Sequence, residues 1–141
     1  MNTRTRILLG IAGAAILIVT FLWSGRPGFL NESWVLTAMD GEPALPGVEV
    51  TAHFALPPFG TRVIGNAGCN HYEAVYTHEA HSLDVEQPVS NDADCPTPDG
   101  VMEQEATYLH LLAEATGYAV EGDTLTLTTD DERTLTFQPT P

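Results

Sequence analysis

Five histidines, two cysteines and nineteen carboxylates are the groups in this 141-residue chain that could do chemistry. His71, His78 and His81, with Asp84 close behind, come nearest to a metal-binding cluster. A zinc site needs three or four ligands converging on one point. His78 and His81 fall on what reads as a hairpin tip and His71 on another segment, so solvated loop histidines are the expected account. A metal-dependent hydrolase would need several of His53, His71, His78, His81 and the loop aspartates to meet. Asp92, Asp94 and Asp99 lack the regular oxygen spacing and glycine of an EF-hand loop. Glu103 and Glu105, two apart on a helix, point about 200° from one another and cannot act as acid and base on one substrate. The expected role of Glu103 is a favourable interaction with the helix N-terminus. No Ser-His-Asp pattern or phosphate-cradling glycine loop is present. No catalytic, metal or cofactor residue is therefore assigned.

Export is written in the first residues. Arg4 and Arg6 precede an apolar run over residues 7–23, broken only by glycines and Thr20, which is the basic and apolar layout of an export signal. Phe21, Leu22 and Trp23 spoil most cleavage positions, which favours a retained anchor over a cleaved peptide, and no lipid-attachment cysteine follows. The expected layout is a cytoplasmic N-terminus at 1–6, a single-pass anchor in the inner membrane at 7–23, a tether at 24–32 and a folded domain at 33–138 facing the periplasm or exterior. The exterior residues 24–141 carry Arg26, Arg62 and Arg133 against all nineteen acids, a net charge of −16. Such a surface repels nucleic acid and excludes it as a partner class. Cys69 and Cys95 are the only thiols. In an oxidising compartment they are expected as a disulfide, the alternative being two buried free cysteines.

The rest of the chain reads as short strands and one helix. Residues 34–39 alternate, as do Val48, Val50, Ala52 and Phe54; Pro57 to Gly60 is a turn before a strand from Arg62 to Gly65. Tyr72, Ala74 and Tyr76 mark one face of a strand, Leu83 to Val85 another, and Gly68-Cys69-Asn70 a tight corner. Thr97-Pro98 reads as a helix start, with Met102, Ala106, Leu109 and Leu112 or Ala113 as the buried face and Gly117 as the stop. Three closing strands follow, joined by turns at Gly122-Asp123 and Asp130-Asp131-Glu132. The expected fold is α+β, mostly β: a curved antiparallel sheet or partly open barrel with one covering helix, preceded by the transmembrane helix.

Across residues 33–137 the chain resembles the META domain of bacterial HslJ-type heat-shock proteins. The resemblance lies in Ser33-Trp34-x-Leu36, in Gly65-x-x-Gly68-Cys69-Asn70 with Tyr72 and Tyr76, and in Cys95. It continues through Met102-Glu103-x-Glu105-x-x-Tyr108-Leu109-x-x-Leu112 and the closing Leu125-x-Leu127. Ala74 stands where the family pattern has a second glycine, and the loop before Cys95 is more acidic than that pattern. What the resemblance implies is an extracytoplasmic, non-enzymatic module without a cofactor, tied to envelope stress tolerance. A binding module taking an apolar ligand or peptide at the barrel mouth, in a cleft lined by Tyr72, Tyr76 or Phe54, is the second expectation.

Overall fold

The structure, a computed structural model, describes residues 28–141 apart from Pro57 and Phe59. The expected N-terminus at 1–6, the anchor at 7–23, the first part of the tether and half of the turn at 57–60 lie outside the described residues. Among the described residues no helix is long and apolar enough to cross a membrane.

The described residues form ten strands and one helix in the order β1 (Ser33–Met39), β2 (Glu42–Pro43), β3 (Thr51–Ala55), β4 (Arg62–Asn66), β5 (His71–Glu79), β6 (Ser82–Val85), β7 (Val89–Ser90), α1 (Val101–Ala113), β8 (Ala115–Glu121), β9 (Thr124–Thr129) and β10 (Thr134–Pro139). Alternation does what it should. Along β5, Tyr72, Ala74 and Tyr76 point inward while Glu73, Val75 and Thr77 face solvent. Leu125 and Leu127 on β9 face the same interior as Leu135 and Phe137 on β10.

Eight of the strands form a closed antiparallel barrel in the order β1, β3, β4, β5, β6, β8, β9, β10 and back to β1, while the two-residue β2 and β7 flank β1 and β5. The expectation of a mostly β, antiparallel curved sheet or partly open barrel with one helix holds in its class, and the barrel is closed where an opening was expected. Closure comes from β1 and β10, which pair from Trp34↔Pro139 to Met39↔Leu135. Asp40, just past β1, secures the join by accepting from Thr134 N at 2.9 Å and Arg133 Nε at 2.9 Å. These two donors, the backbone one foremost, hold its carboxyl below the usual value. The thinnest joint is between β6 and β8, where Ser82↔Gly117 pair and Tyr118 N reaches His81 O at 2.9 Å.

The helix begins three residues later than Pro98. Gly100 takes a left-handed φ of 87°, which cannot sit inside a helix, so the first turn starts at Val101. Its buried face is also rotated from the expected one: Val101, Gln104, Glu105, Tyr108, Leu111 and Leu112 point inward. Met102 and Leu109 lie half-buried at its edge, and Ala106 is exposed. Nor does Gly117 stop the helix, because α1 ends at Ala113 and the chain enters β8 at Ala115.

The two ends of the barrel are both filled. At one end α1 packs against β6 and β10 and bonds to the turns around it. At the other sits Phe29, a residue of the expected tether at 24–32. Phe29 is fully buried, edge-on to Phe54 with ring centroids 5.0 Å apart and 4.4 Å from Tyr118. Its carbonyl accepts Trp34 Nε1 at 3.0 Å, and Asn31 N donates to Phe54 O at 2.8 Å. The folded unit therefore starts before Ser33. A buried phenylalanine contributes about 1.5–3 kcal/mol relative to an exposed one, enough to fix the segment that carries it.

Candidate functional site

Two of the places where polar side chains gather differ in how far those groups are already bonded, although Gln104 Nε2 beside the first is buried without a partner. The first is the corner between β4 and β5. Gly65 permits the strands to close there, since a Cβ on it would stand 1.9 Å from Thr51 O. Gly68 follows with φ of 123°, and its N–H donates to Asn66 Oδ1 at 2.7 Å. The turn then presents three N–H groups to one carboxylate. Glu105 Oε2 accepts Cys69 N and Asn70 N, both at 2.8 Å, and Oε1 accepts Asn70 Nδ2 at 2.5 Å.

Asn70 also ties in the loop before the helix. Its Nδ2 donates to Ala93 O at 3.0 Å, and its Oδ1 accepts Ala93 N at 2.8 Å and Asn91 Nδ2 at 2.7 Å. Cys69 and Cys95 are disulfide-bonded with Cα atoms 5.9 Å apart, fastening the same loop covalently. Next to this, Gln104 Oε1 accepts Leu45 N at 2.6 Å, and Cys95 N contacts Met102 Sδ at 3.4 Å. Glu105 and Asn70 are 5% and 2% exposed, so their polar atoms serve each other, Asn91 and the backbone and leave none for a substrate.

Below the corner, Tyr108 OH lies 2.6 Å from Tyr72 OH, which donates onward to Thr51 O at 2.9 Å. Burial pushes both phenols above their ordinary range, Tyr108 strongly. Trp34 and Tyr76 are core residues, the latter donating to Ala55 O at 2.9 Å, and Glu103 is exposed in the first helical turn. The motif residues Gly68, Cys69, Asn70, Cys95, Met102 and Glu105 are thus brought together. Trp34, Tyr76, Glu103 and Leu109 are not part of the cluster.

The second place is a recess of about 480 Å³ on the outer wall, over β3 and β4. Cross-strand register builds it. Ser33, His53 and Ile64 share one row across β1, β3 and β4, while Thr51, Asn66 and His71 share the next. Ala52, Gly65, Tyr72 and Thr140 complete its lining. Ile64 is 42% exposed there, an apolar side chain on the solvent face of a strand. Ser33 Oγ meets His53 Nδ1 at 3.2 Å. Of the residues expected to line a cleft, only Tyr72 does so; Tyr76 and Phe54 are sealed in the interior, and the mouth is occupied by Phe29.

Neither Ile64 nor Asn66 stands out in the sequence as a site residue. The available signal was Ile64 itself, apolar at an outward position between Val63 and Gly65, but its neighbours come from strands whose register no local pattern encodes. His78 stacks at the other end against Tyr76, and His81 lies beside Tyr118. Among the described residues no three His, Cys, Asp or Glu side chains gather where a metal ion could sit.

The META domain family model matches residues 28–141. No curated protein matches the sequence. Among solved structures, an NMR structure of a protein from Burkholderia xenovorans is similar with a TM-score of 0.65 at 25% identity, over 79% of this chain and 83% of that one. A second NMR structure aligns with a TM-score of 0.61 at 20% identity, over 78% and 90%. A crystal structure of a duf4847 family protein from Bacteroides vulgatus aligns with a TM-score of 0.54 at 12% identity, over 78% and 93%. The last two likenesses show the fold alone.

Proposed function

Since this chain belongs to the META domain family, we propose that it is a non-enzymatic binding module of the cell envelope. Residues 7–23 hold it on the outer side of the inner membrane, and the recess over β3 and β4 takes its ligand. The observation that carries the reading is the contrast in polar groups. The best-buried ones, on Glu105 and Asn70, are consumed by structural bonds, whereas the recess combines a mostly apolar lining with ring and amide nitrogens. A concave apolar surface with a few convergent polar groups is what small-molecule sites look like. The filled interior argues for the wall and against the mouth as the place of binding.

Export is supported by the basic and apolar leader and by the Cys69–Cys95 bridge, a crosslink that persists in oxidising compartments. A role in envelope stress tolerance fits a rigid, crosslinked and strongly acidic domain that stays soluble on the exposed side of a membrane. A reporter enzyme active only outside the cytoplasm, fused after Pro141, should be active in whole cells. Activity confined to a cytosolic reporter would overturn the anchored reading. Binding is tested by screening small apolar compounds against the full-length protein and against Ile64→Asp. Compounds that bind the first and not the second support the recess, and equal binding to both removes it.

A further inference from the structure

We infer that the recess takes a small apolar molecule whose polar end only accepts hydrogen bonds, a carboxylate or a carbonyl. The inference rests on the recess being the binding site and goes on to its chemistry. Charge is the first argument. In a domain with nineteen acids, each of the other described recesses is lined by carboxylates: Asp84, Glu114, Asp130 and Asp131 beside the helix C-terminus, Glu79 and Asp84 along β5 and β6, Glu73 and Glu86 beside β7, and Asp94, Asp99 and Glu103 before the helix. The recess over β3 and β4 has none and carries His53 and His71 instead. Glu73, the cross-strand neighbour of Ile64, is engaged with Arg62 at 3.0 Å and is not in the lining.

Donors and acceptors are the second argument. Two of the acceptors in the recess are already used: Thr51 Oγ1 by Asn66 N at 3.0 Å and Asn66 Oδ1 by Gly68 N at 2.7 Å. Thr51 O is taken by Tyr72 OH. With Asn66 Oδ1 held by Gly68, its Nδ2 is left to donate. The His71 imidazole adds at least one N–H whatever its protonation state, while His53 Nδ1 is already engaged with Ser33 Oγ. The unused polar capacity of the recess therefore includes donors at Asn66 Nδ2 and His71, and they stand beside the apolar Ile64. A cation is attracted to the domain as a whole, but this recess offers it no carboxylate. At about 480 Å³ it has room for a single aromatic ring or a short aliphatic chain.

The test is fluorine NMR on the full-length protein with three probes of one shape: 4-(trifluoromethyl)benzoate, its methyl ester and 4-(trifluoromethyl)benzylamine. Salt at about 0.5 M shortens the screening length to about 4 Å and suppresses the general pull on the amine. The acid, the ester or both should bind about tenfold more tightly than the amine, the factor expected for a net hydrogen bond of about 1.4 kcal/mol. Binding should be lost in Ile64→Asp and weakened in His71→Ala, both at exposed positions. Acid against ester then tells which head is preferred. An amine that binds as tightly as the acid, and loses that binding in Ile64→Asp, overturns the ligand class while leaving the recess as the site. Probes that bind both variants as they bind the parent, or bind nothing, overturn the recess itself and the inference with it.

Discussion

The barrel is shut at its two ends by opposite means. At the helix end, a carboxylate accepts three N–H groups of a glycine-bracketed turn, an amide ties in a loop, and a disulfide fastens that loop again. At the other end one phenylalanine wedges between Phe54 and Tyr118 and is held through its own carbonyl by Trp34. Polar closure is directional, so it demands particular residues at particular places: glycine at 65 and 68, asparagine at 70, glutamate at 105. Apolar closure demands only bulk. That difference accounts for why one end is a motif and the other passes for a linker.

The comparison is broken most directly at Glu105. Glu105→Ala leaves two backbone N–H groups and the Asn70 amide without their acceptor in a buried setting, a loss of about 4 kcal/mol. Glu105→Gln keeps one oxygen for Cys69 N and Asn70 N but turns an amide N–H toward Asn70 Nδ2, donor against donor, so it should recover only a small part of that loss. Urea unfolding followed by tryptophan fluorescence measures both. A Glu105→Ala variant as stable as the parent would mean the helix is held by its apolar face alone.

Phe29→Ala should cost about 3 kcal/mol, the cavity it opens being partly relieved by movement of the short segment before β1. The Trp34 Nε1 bond survives, because its acceptor is the backbone carbonyl. Phe29→Leu, which keeps most of the volume, should lose about 1 kcal/mol. The polar end should show the reverse tolerance, with shape-preserving changes at Asn70 failing wherever a donor or acceptor is lost. If Phe29→Leu proves as costly as Phe29→Ala, the edge-on aromatic contacts and not the bulk close that end.

How far the fold could be read from the chain follows the same division. Tyr72, Ala74 and Tyr76 announce the inner face of β5 by simple alternation, and Leu125 and Leu127 do so for β9. The helix was legible as a helix but not in its orientation. Counting apolar side chains selects Met102, Ala106 and Leu109, while the buried stripe includes Gln104 and Glu105, whose burial is supported by partners at Leu45 and Asn70, 59 and 35 residues away. Closure of the barrel depends on β1 meeting β10 across most of the chain, and no local pattern carries that information. Phe29, set after Gly25, Pro27 and Gly28 punctuation, resembles tether residues until its pocket of Phe54, Tyr76 and Tyr118 is assembled around it. The recess over β3 and β4 is a product of register alone.

The finest distinction between the ends lies in their tyrosines, two at each. Tyr72 and Tyr108 form one hydrogen-bonded chain under the helix, whereas Tyr76 and Tyr118 donate separately to Ala55 O and Ala80 O. Burial raises the phenol pKa at all four, most strongly at Tyr108, where the neighbouring Tyr72 adds to it. Below about pH 10 these groups are neutral in both folded and unfolded chains and contribute no pH dependence. Above it the unfolded chain ionises while the deeply buried Tyr72 and Tyr108 stay protonated, so unfolding releases protons and stability falls as pH rises, by up to about 1.4 kcal/mol per pH unit for each of these two phenols. Tyr108→Phe keeps the bond from Tyr72 to Thr51 O, so it should cost only about 1 kcal/mol at pH 8. It should also flatten the decline above pH 10 by about one group's share. Tyr118→Phe removes a phenol whose shift is smaller and should flatten it less. Unfolding curves between pH 8 and 11 separate the two variants, and equal flattening would mean that the apolar end shields its hydroxyls from ionisation as completely as the helix end does.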